Sequence, residues 1–284
     1  MSEIYHIAVA CDNSFVNHTI VTLHSLKKFN SNRTFFVHIL DSGISGKFRL
    51  KFKLFLFRFG FKFQFYKIDY SQIKNAPVSH HVNLASYNRL FLSNILNEKI
   101  ERVLYLDSDI IVLGQIDTLL DCDIKDFFVC AAAEIITNSD RNRLELNSFD
   151  QYFNAGVLVV NLKKWREENI FSKFVDFISK NSHKIKYWDQ DVLNYCLKNK
   201  WLRLHQKYNL THFYFYPNDY TPSYFGLNQT QYEDIQKDPI IIHFTSHQKP
   251  WIEGCKHPQK DLYYQYQLTF KQLLFGKIII STKN

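Results

Sequence analysis

The sequence predicts an α/β fold, a single domain built on a mixed, mostly parallel central sheet flanked by helices. Three observations carry this. β-rich runs alternate with segments of helical period, the pattern of strand–crossover–strand units. The length, 284 residues, suits one large α/β domain better than two full ones. Five of the β-rich runs end in an acid, as expected where a sheet gathers its functional groups at the carboxyl ends of its strands.

The β-rich runs are 4–11, 35–40, 63–68, 103–106, 128–133, 156–161 and 240–244. After the first, Val16, Ile20, Leu23 and Leu26 fall on one helical face behind the candidate caps Asp12 and Asn13. Residues 48–67, rich in Phe and Lys, read as a helix and a strand with solvated lysines, with contact to an anionic lipid surface as the rival reading. Leu90, Ile95 and Leu96 predict a further helix. So do Phe171, Phe174, Val175 and Ile178, and so do Val192, Tyr195 and Cys196 behind Asp189. Leu262, Tyr266, Thr269, Leu273 and Leu274 predict one C-terminal helix. We therefore expect a main domain over residues 1–257, followed by a C-terminal helix and basic tail over 258–284 that faces a membrane or an acceptor.

Composition excludes several classes. Apolar residues make up 46% and charged residues 22%, which argues against disorder. The net charge of +8 suits nucleotide phosphates or an anionic lipid face. The basic residues form no long run and no zinc-finger or RRM pattern, so no nucleic-acid partner is expected. The five cysteines form no C-x-x-C pair and read as reduced thiols of a cytoplasmic protein. No signal peptide is expected, and no apolar run approaches the ~20 residues of a membrane span. Contact with the inner face of the plasma membrane would be peripheral.

The strand-end acids are Asp12, Asp41, Asp69, Asp107 and Glu134. Asp41 and Asp69 read as turn caps, since Asp commonly starts turns. Asp12 and Glu134 are open between capping and function. Asp107 reads as functional. The segment 102–113 runs an apolar strand into Asp107-Ser108-Asp109 and on into a second apolar run. A continuous strand would set both acids on one face, where they repel unless a cation lies between them. Hard oxygen ligands suit Mg²⁺ or Mn²⁺, an ion able to neutralise a departing diphosphate. His243, at the end of its own apolar run, is a candidate third ligand.

Taken together, these motifs resemble the family-eight retaining glycosyltransferases of the GT-A fold, nearest to bacterial lipooligosaccharide galactosyl- and glucosyltransferases. The resemblance spans residues 4 to about 257, with its motifs in the family's order. It implies a UDP-sugar donor, UDP-glucose or UDP-galactose, with Mn²⁺ as the metal and Mg²⁺ as the substitute. It implies that Ala10, Asp12 and Asn13 hold the uridine, and that Arg89, after His81, binds donor. Asp107, Ser108 and Asp109 match the metal motif. Asn154 and Ala155, in Asn-Ala-Gly, would lie by the donor sugar. Asp189 would bind its hydroxyls, and Gln190 would lie beneath the anomeric carbon. In the stretch 243–251, His243 would bind metal and Lys249 the diphosphate, with Ser246 also at the donor. Cys11 and Ser246 stand where the family usually has an acid and a glycine.

The expected reaction moves a hexose to a glycan or glycolipid acceptor, such as a lipopolysaccharide core, with retention. Gln190, an amide, is a poor nucleophile. A front-face route, in which the leaving phosphate takes the acceptor's proton, therefore fits better than a covalent one. Two rivals stand beside this reading: a metal-dependent nucleotidyltransferase, and a catalytically degenerate glycan- or nucleotide-sugar-binding protein.

Overall fold

The computed structural model describes residues 3–78, 84–147, 149–216, 220–225 and 227–276. His81 and the end of the basic tail lie outside the described residues. The strands are β1 (Ile4–Cys11), β2 (Thr34–Asp41), β3 (Lys62–Lys67), β4 (Arg102–Leu106), β5 (Ile110–Val112), β6 (Val129–Glu134), β7 (Tyr152–Asn161), β8 (Trp201–Leu204) and β9 (Ile241–His243). Seven form a central sheet in the order β3-β2-β1-β4-β7-β6-β8, and β5 pairs with β9 in a small second sheet. Within the large sheet only β7 runs antiparallel to its neighbours. This is the predicted class.

The period of two explains the layering. In β1, Ile7, Val9 and Cys11 face one apolar cluster, while Ala8 faces the other. In β7, Val157 and Val159 join the first cluster, and Leu158 and Val160 the second. The helix Val16–Phe29 covers the first face with Val16, Ile20, Leu23 and Leu26, as its spacing predicts. The helices Ile170–Asn181 and Trp188–Cys196 cover the second with Phe174, Ile178 and Leu193. The stretch at 48–67 is the helix Gly46–Arg58 followed by β3.

The structure departs from the sequence reading in five places, the first being β8, the edge strand beside β6, which none of the predicted runs covers. The apolar run through Asp107 is not one strand: β4 ends at Leu106, the chain turns through 107–109, and β5 starts a different sheet. β7 begins at Tyr152, because Ala133 and Glu134 pair with Phe153 and Tyr152 past a register shift. The expected helix around Leu90 is a 3₁₀ segment, Leu84–Phe91, running into one α-turn, Leu92–Ile95. The C-terminal helix is two, Lys260–Tyr266 and Phe270–Phe275. Thr269 starts the second: its hydroxyl accepts from Gln272 N–H, and the Gln272 side chain accepts from Thr269 N–H. The first packs on the helix Val16–Phe29, where His18 Nδ1 lies 2.6 Å from the Tyr263 hydroxyl. No described helix is long and apolar enough to cross a membrane.

Candidate active site

After β3 the chain returns across β2 and β1 to lay β4 on the far side of β1. That reversal leaves a crevice at the carboxyl ends of β1 and β4, the place where open α/β sheets bind ligands. β7 is antiparallel, so its first residues meet the same rim, and so does Glu134 at the end of β6. A cleft of about 520 Å³ opens there, lined in part by Ala10, Asp12, Arg89, Asp107, Asp109 and Glu134. Asn154, Asp189, Gln190, His243, Ser246 and Lys249 line it as well. A second cavity, about 620 Å³, lies at the other ends of the strands beside His6, Arg102 and Lys163; its Glu3, Glu101 and Glu167 form no metal-ligating cluster among the described residues.

The turn at 107–109 and the β5–β9 pair bring three groups together. Ile110 stands opposite His243, and Phe244 N–H donates to the Asp109 carbonyl. His243 Nε2 thus lies 3.1 Å from Asp109 Oδ1 and 3.7 Å from Asp107 Oδ2. One ligand atom from each of Asp107, Asp109 and His243 falls within 4.8 Å of the others. Two carboxylate oxygens and an imidazole nitrogen make a donor set that fits Mn²⁺ or Mg²⁺. The approach requires a glycine beside it. A Cβ on Gly156 would lie 2.7 Å from His243 Nδ1 and 2.8 Å from Asp107 Oδ2, closer than any side chain tolerates.

Arg89 ties the crevice together. Its guanidinium donates to Asp107 Oδ1 at 2.8 Å and to the Ala155 carbonyl, and its Nε lies 2.6 Å from Asp189 Oδ2. It also stacks 4.4 Å from the Tyr105 ring, whose hydroxyl donates to Asp107. Burial pushes the Asp189 carboxyl up to about 7, opposed by Arg89 and reinforced by Asp107. Trp188, just before it, has φ +47°, backbone strain where the helix Trp188–Cys196 opens into the cleft.

Gln190 accepts from Ala155 N–H at 2.9 Å and donates to Glu134 Oε2 at 3.0 Å. Asn154 donates to the same oxygen at 2.8 Å. Burial raises the Glu134 carboxyl, which has no Lys or Arg within salt-bridge reach among the described residues. Asp191 is buried, does not line the cleft and is fully engaged. It accepts from Arg143 at 2.8 Å, the Tyr152 hydroxyl at 2.9 Å and the Lys186 and Tyr187 N–H groups, each at 2.7 Å.

Lys249 Nζ reaches Asp109 and the Phe244 carbonyl. Ser246 takes φ +74°, a backbone that favours glycine. The Ser108 hydroxyl donates to the Ala10 carbonyl and lies 2.8 Å from the Thr19 hydroxyl, stitching β1 to the acidic turn. Burial pushes the Cys11 thiol up to about 12, so it lines the cleft uncharged.

Asn13 is the expected donor residue that does not line the cleft: its side chain accepts from Ser45 N–H across the loop after β2. Of the strand-end acids, Asp12, Asp107 and Glu134 reach the cleft. Asp41 instead accepts from the Gly43 and Ile44 N–H groups and pairs with Arg49, while Asp69 accepts from Ser71. Asn209, absent from the sequence reading, accepts from His243 Nδ1 at 2.9 Å.

Comparison with known proteins places the chain in a family. The model of glycosyl transferase family 8 matches residues 6–255. General stress protein A of Bacillus subtilis (strain 168) is 29% identical over 98% of both chains. A lipopolysaccharide 1,2-glucosyltransferase of Escherichia coli is 25% identical over 92% of this chain and 77% of its own. In fold, the chain is similar to the crystal structure of the galactosyltransferase LgtC in complex with donor and acceptor sugar analogs. The TM-score is 0.80 with 24% identity, covering 92% of this chain and 95% of that one. With the family model matching most of its length, and the acidic turn, His243 and Lys249 meeting at the switch point, this chain belongs to glycosyl transferase family 8.

Proposed function

We propose that this glycosyltransferase moves glucose or galactose from a UDP-sugar to a glycan or glycolipid acceptor, in a metal-dependent reaction that retains configuration. The observation that carries the reading is the meeting of Asp107, Asp109 and His243 beside Lys249 at the switch point. Asp107, Asp109 and His243 would hold Mn²⁺ or Mg²⁺, which supplies positive charge against the departing diphosphate. Lys249, next to them, adds a second positive charge there. The uridine would lie over Ala10 and Asp12 at the end of β1.

The chain's own groups favour a front-face route. Asp191 is held by four donors and does not line the cleft, which argues against it as a nucleophile. Asp189 is paired with Arg89. Gln190 presents an amide already oriented by Ala155 and Glu134. The acceptor oxygen would bond to the anomeric carbon on the face from which the sugar–phosphate bond breaks. Its proton would pass to the leaving phosphate oxygen, yielding UDP and the new glycoside. The E. coli relative's name points to a lipopolysaccharide acceptor for that protein. A lipid-borne acceptor here fits the basic, apolar outer face of the helix Gly46–Arg58, which we infer meets anionic membrane.

The deciding experiment measures UDP release from a panel of UDP-sugars, with Mn²⁺ and with chelator, for wild type and Asp109→Ala. The reading expects metal-dependent release from one hexose donor, reduced at least ~100-fold in the variant. No release from any donor, even with crude glycan acceptors, would leave a degenerate binding protein.

A further inference from the structure

We propose that Asn209 is a positioning residue that fixes the imidazole of His243 with its proton on Nδ1, so that Nε2 offers a bare lone pair to the cation. The inference rests on reading His243 as a cation ligand.

The assignment follows from a group whose role is unambiguous. A backbone N–H can only donate. Gly156 N–H lies 2.9 Å from one arm of the Asn154 amide, so that arm is the oxygen, Oδ1. The same oxygen is 2.9 Å from the Asn209 amide, which must therefore turn its Nδ2 toward it. Asn209 is left with only its own Oδ1 to face His243 Nδ1, 2.9 Å away. An acceptor at that position requires a proton on Nδ1. A neutral imidazole carries one ring proton, so Nε2 has none. Yet Nε2 is the atom 3.1 Å from Asp109 Oδ1 and 3.7 Å from Asp107 Oδ2. The neutral ring cannot satisfy Asp109 by donation. Lone pairs from all three side chains converge, as a divalent cation needs.

A second backbone donor orients the other side. Ala155 N–H donates to Gln190 Oε1, which turns Gln190 Nε2 toward Glu134 Oε2, where Asn154 Nδ2 also donates. Two consecutive N–H groups of β7 thereby set the direction of a chain of hydrogen bonds: His243, Asn209, Asn154, Glu134, Gln190. Reversing any member would set donor against donor or oxygen against oxygen in a buried site. Asn209 is itself fully buried and does not line the cleft, so it acts through His243. Its backbone is strapped in place: Leu210 N–H donates to the Ile241 carbonyl, and His243 N–H to the Leu210 carbonyl.

The test compares Asn209→Leu, Asn209→Asp and His243→Ala, reading Mn²⁺ affinity by electron paramagnetic resonance on nucleotide-free protein. Imidazole ¹⁵N shifts of His243 are recorded on wild type without paramagnetic metal. Asn209→Leu removes the acceptor and is expected to weaken Mn²⁺ binding at least ~10-fold. Asn209→Asp keeps an acceptor for Nδ1–H and should hold Mn²⁺ affinity within about threefold of wild type. It sets a carboxylate oxygen against Asn154, so kcat should fall while metal affinity stands. A merely structural role would lower the melting temperature of both variants without this split. A ¹⁵N pattern with the proton on Nε2 overturns the proposal even if a variant fails to fold. If His243→Ala weakens Mn²⁺ binding but Asn209→Leu does not, positioning by Asn209 is wrong. If His243→Ala binds Mn²⁺ as wild type does, the ligand reading beneath it is wrong.

Discussion

Lys249 Nζ lies 2.5 Å from Asp109 Oδ2, joining a carboxylate and an ammonium 140 residues apart on one edge of the candidate cation site. Burial works to raise the Asp109 carboxyl, but the Lys249 ammonium beside it pulls the other way, and the carboxyl lies well below the usual range. The ammonium sits where it competes with a divalent cation for Asp109. Lys249→Met is therefore expected to tighten Mn²⁺ binding to nucleotide-free protein by about 3–10-fold. The same change should lower donor turnover by about 100-fold, since the diphosphate loses a positive partner. Titration with Mn²⁺ and UDP-release kinetics check both. Unchanged or weaker metal binding would show that Lys249 does not compete.

Gly156 makes room for the site by having no side chain. Its Cβ position falls 2.7 Å from His243 Nδ1 and 2.8 Å from Asp107 Oδ2. Gly156→Ala must push the two candidate ligands apart. We expect about 1–3 kcal/mol lost in denaturant unfolding, as for other overpacked sites. Mn²⁺ affinity should fall disproportionately, by at least ~10-fold. A variant that unfolds earlier yet binds Mn²⁺ normally would mean that the ligands move together.

The sequence made the acidic turn legible because two carboxylates inside an apolar run need a reason to be there. It left Asp12 and Glu134 undecided because identical strand-end acids part ways according to strand order. β1, β4 and β6 meet the cleft, whereas Asp41 and Asp69, at the ends of β2 and β3, are spent on turns. Lys249 and Gln190 were reached only through a family motif, since their partners lie in other elements. Asn209 carried no local signal at all. Its part depends on the β5–β9 register and on a single bridge between Leu210 and Ile242. The start of β7 was missed for the same reason, Tyr152 and Phe153 being recruited by pairing with β6.

Ser246 holds φ +74°, at a position where glycine would be unstrained. Its hydroxyl accepts a bond from Gln248 N–H at 3.3 Å, a weak return for the strain. Ser246→Gly is expected to stabilise the protein by roughly 0.5–1 kcal/mol, raising Tm by about 1–4 °C. It should also lower the KM for donor, because the backbone can approach phosphate more closely. A lower Tm would show that the hydroxyl outweighs the strain.

Acid should destabilise the fold through its buried histidines. Burial lowers His18, His212 and His257 to about 4 and His38 to about 3, against 6.5 in the unfolded chain. Between these values the unfolded chain binds more protons than the native one. Stability is then present above pH 6.5 and is lost progressively as pH falls toward 4. Tm measured across that window should drop steeply. His257 is buried among Phe215, Tyr216 and Phe244, with Nδ1 accepting from Gln259 N–H. His257→Asn keeps an acceptor and removes the titration, so its slope should be shallower by up to about 1.4 kcal/mol per pH unit. An unchanged slope would exclude His257 as a contributor.

The helix Gly46–Arg58 turns Lys47, Leu50, Lys53 and Phe57 outward while Phe52, Phe55 and Leu56 enter the core. Leu50 is 58% and Phe57 72% exposed, seven residues apart and so on one face. Arg58 donates to the carbonyls of Leu274 and Gly276, which sets Phe275, 79% exposed, beside the same end. Neither this helix nor Phe270–Phe275 contains an acid. Large apolar groups among lysines and arginines suit the headgroup region of an anionic bilayer, where each basic residue adds about 1 kcal/mol. The protein should sediment with vesicles containing phosphatidylglycerol, lose them at high salt, and ignore purely zwitterionic vesicles. The double change Leu50→Glu and Phe57→Glu should abolish sedimentation and leave acceptor-free UDP release unchanged, since neither residue lines the cleft. Equal binding to neutral vesicles, or binding that survives the double change, would place the membrane contact elsewhere on the molecule.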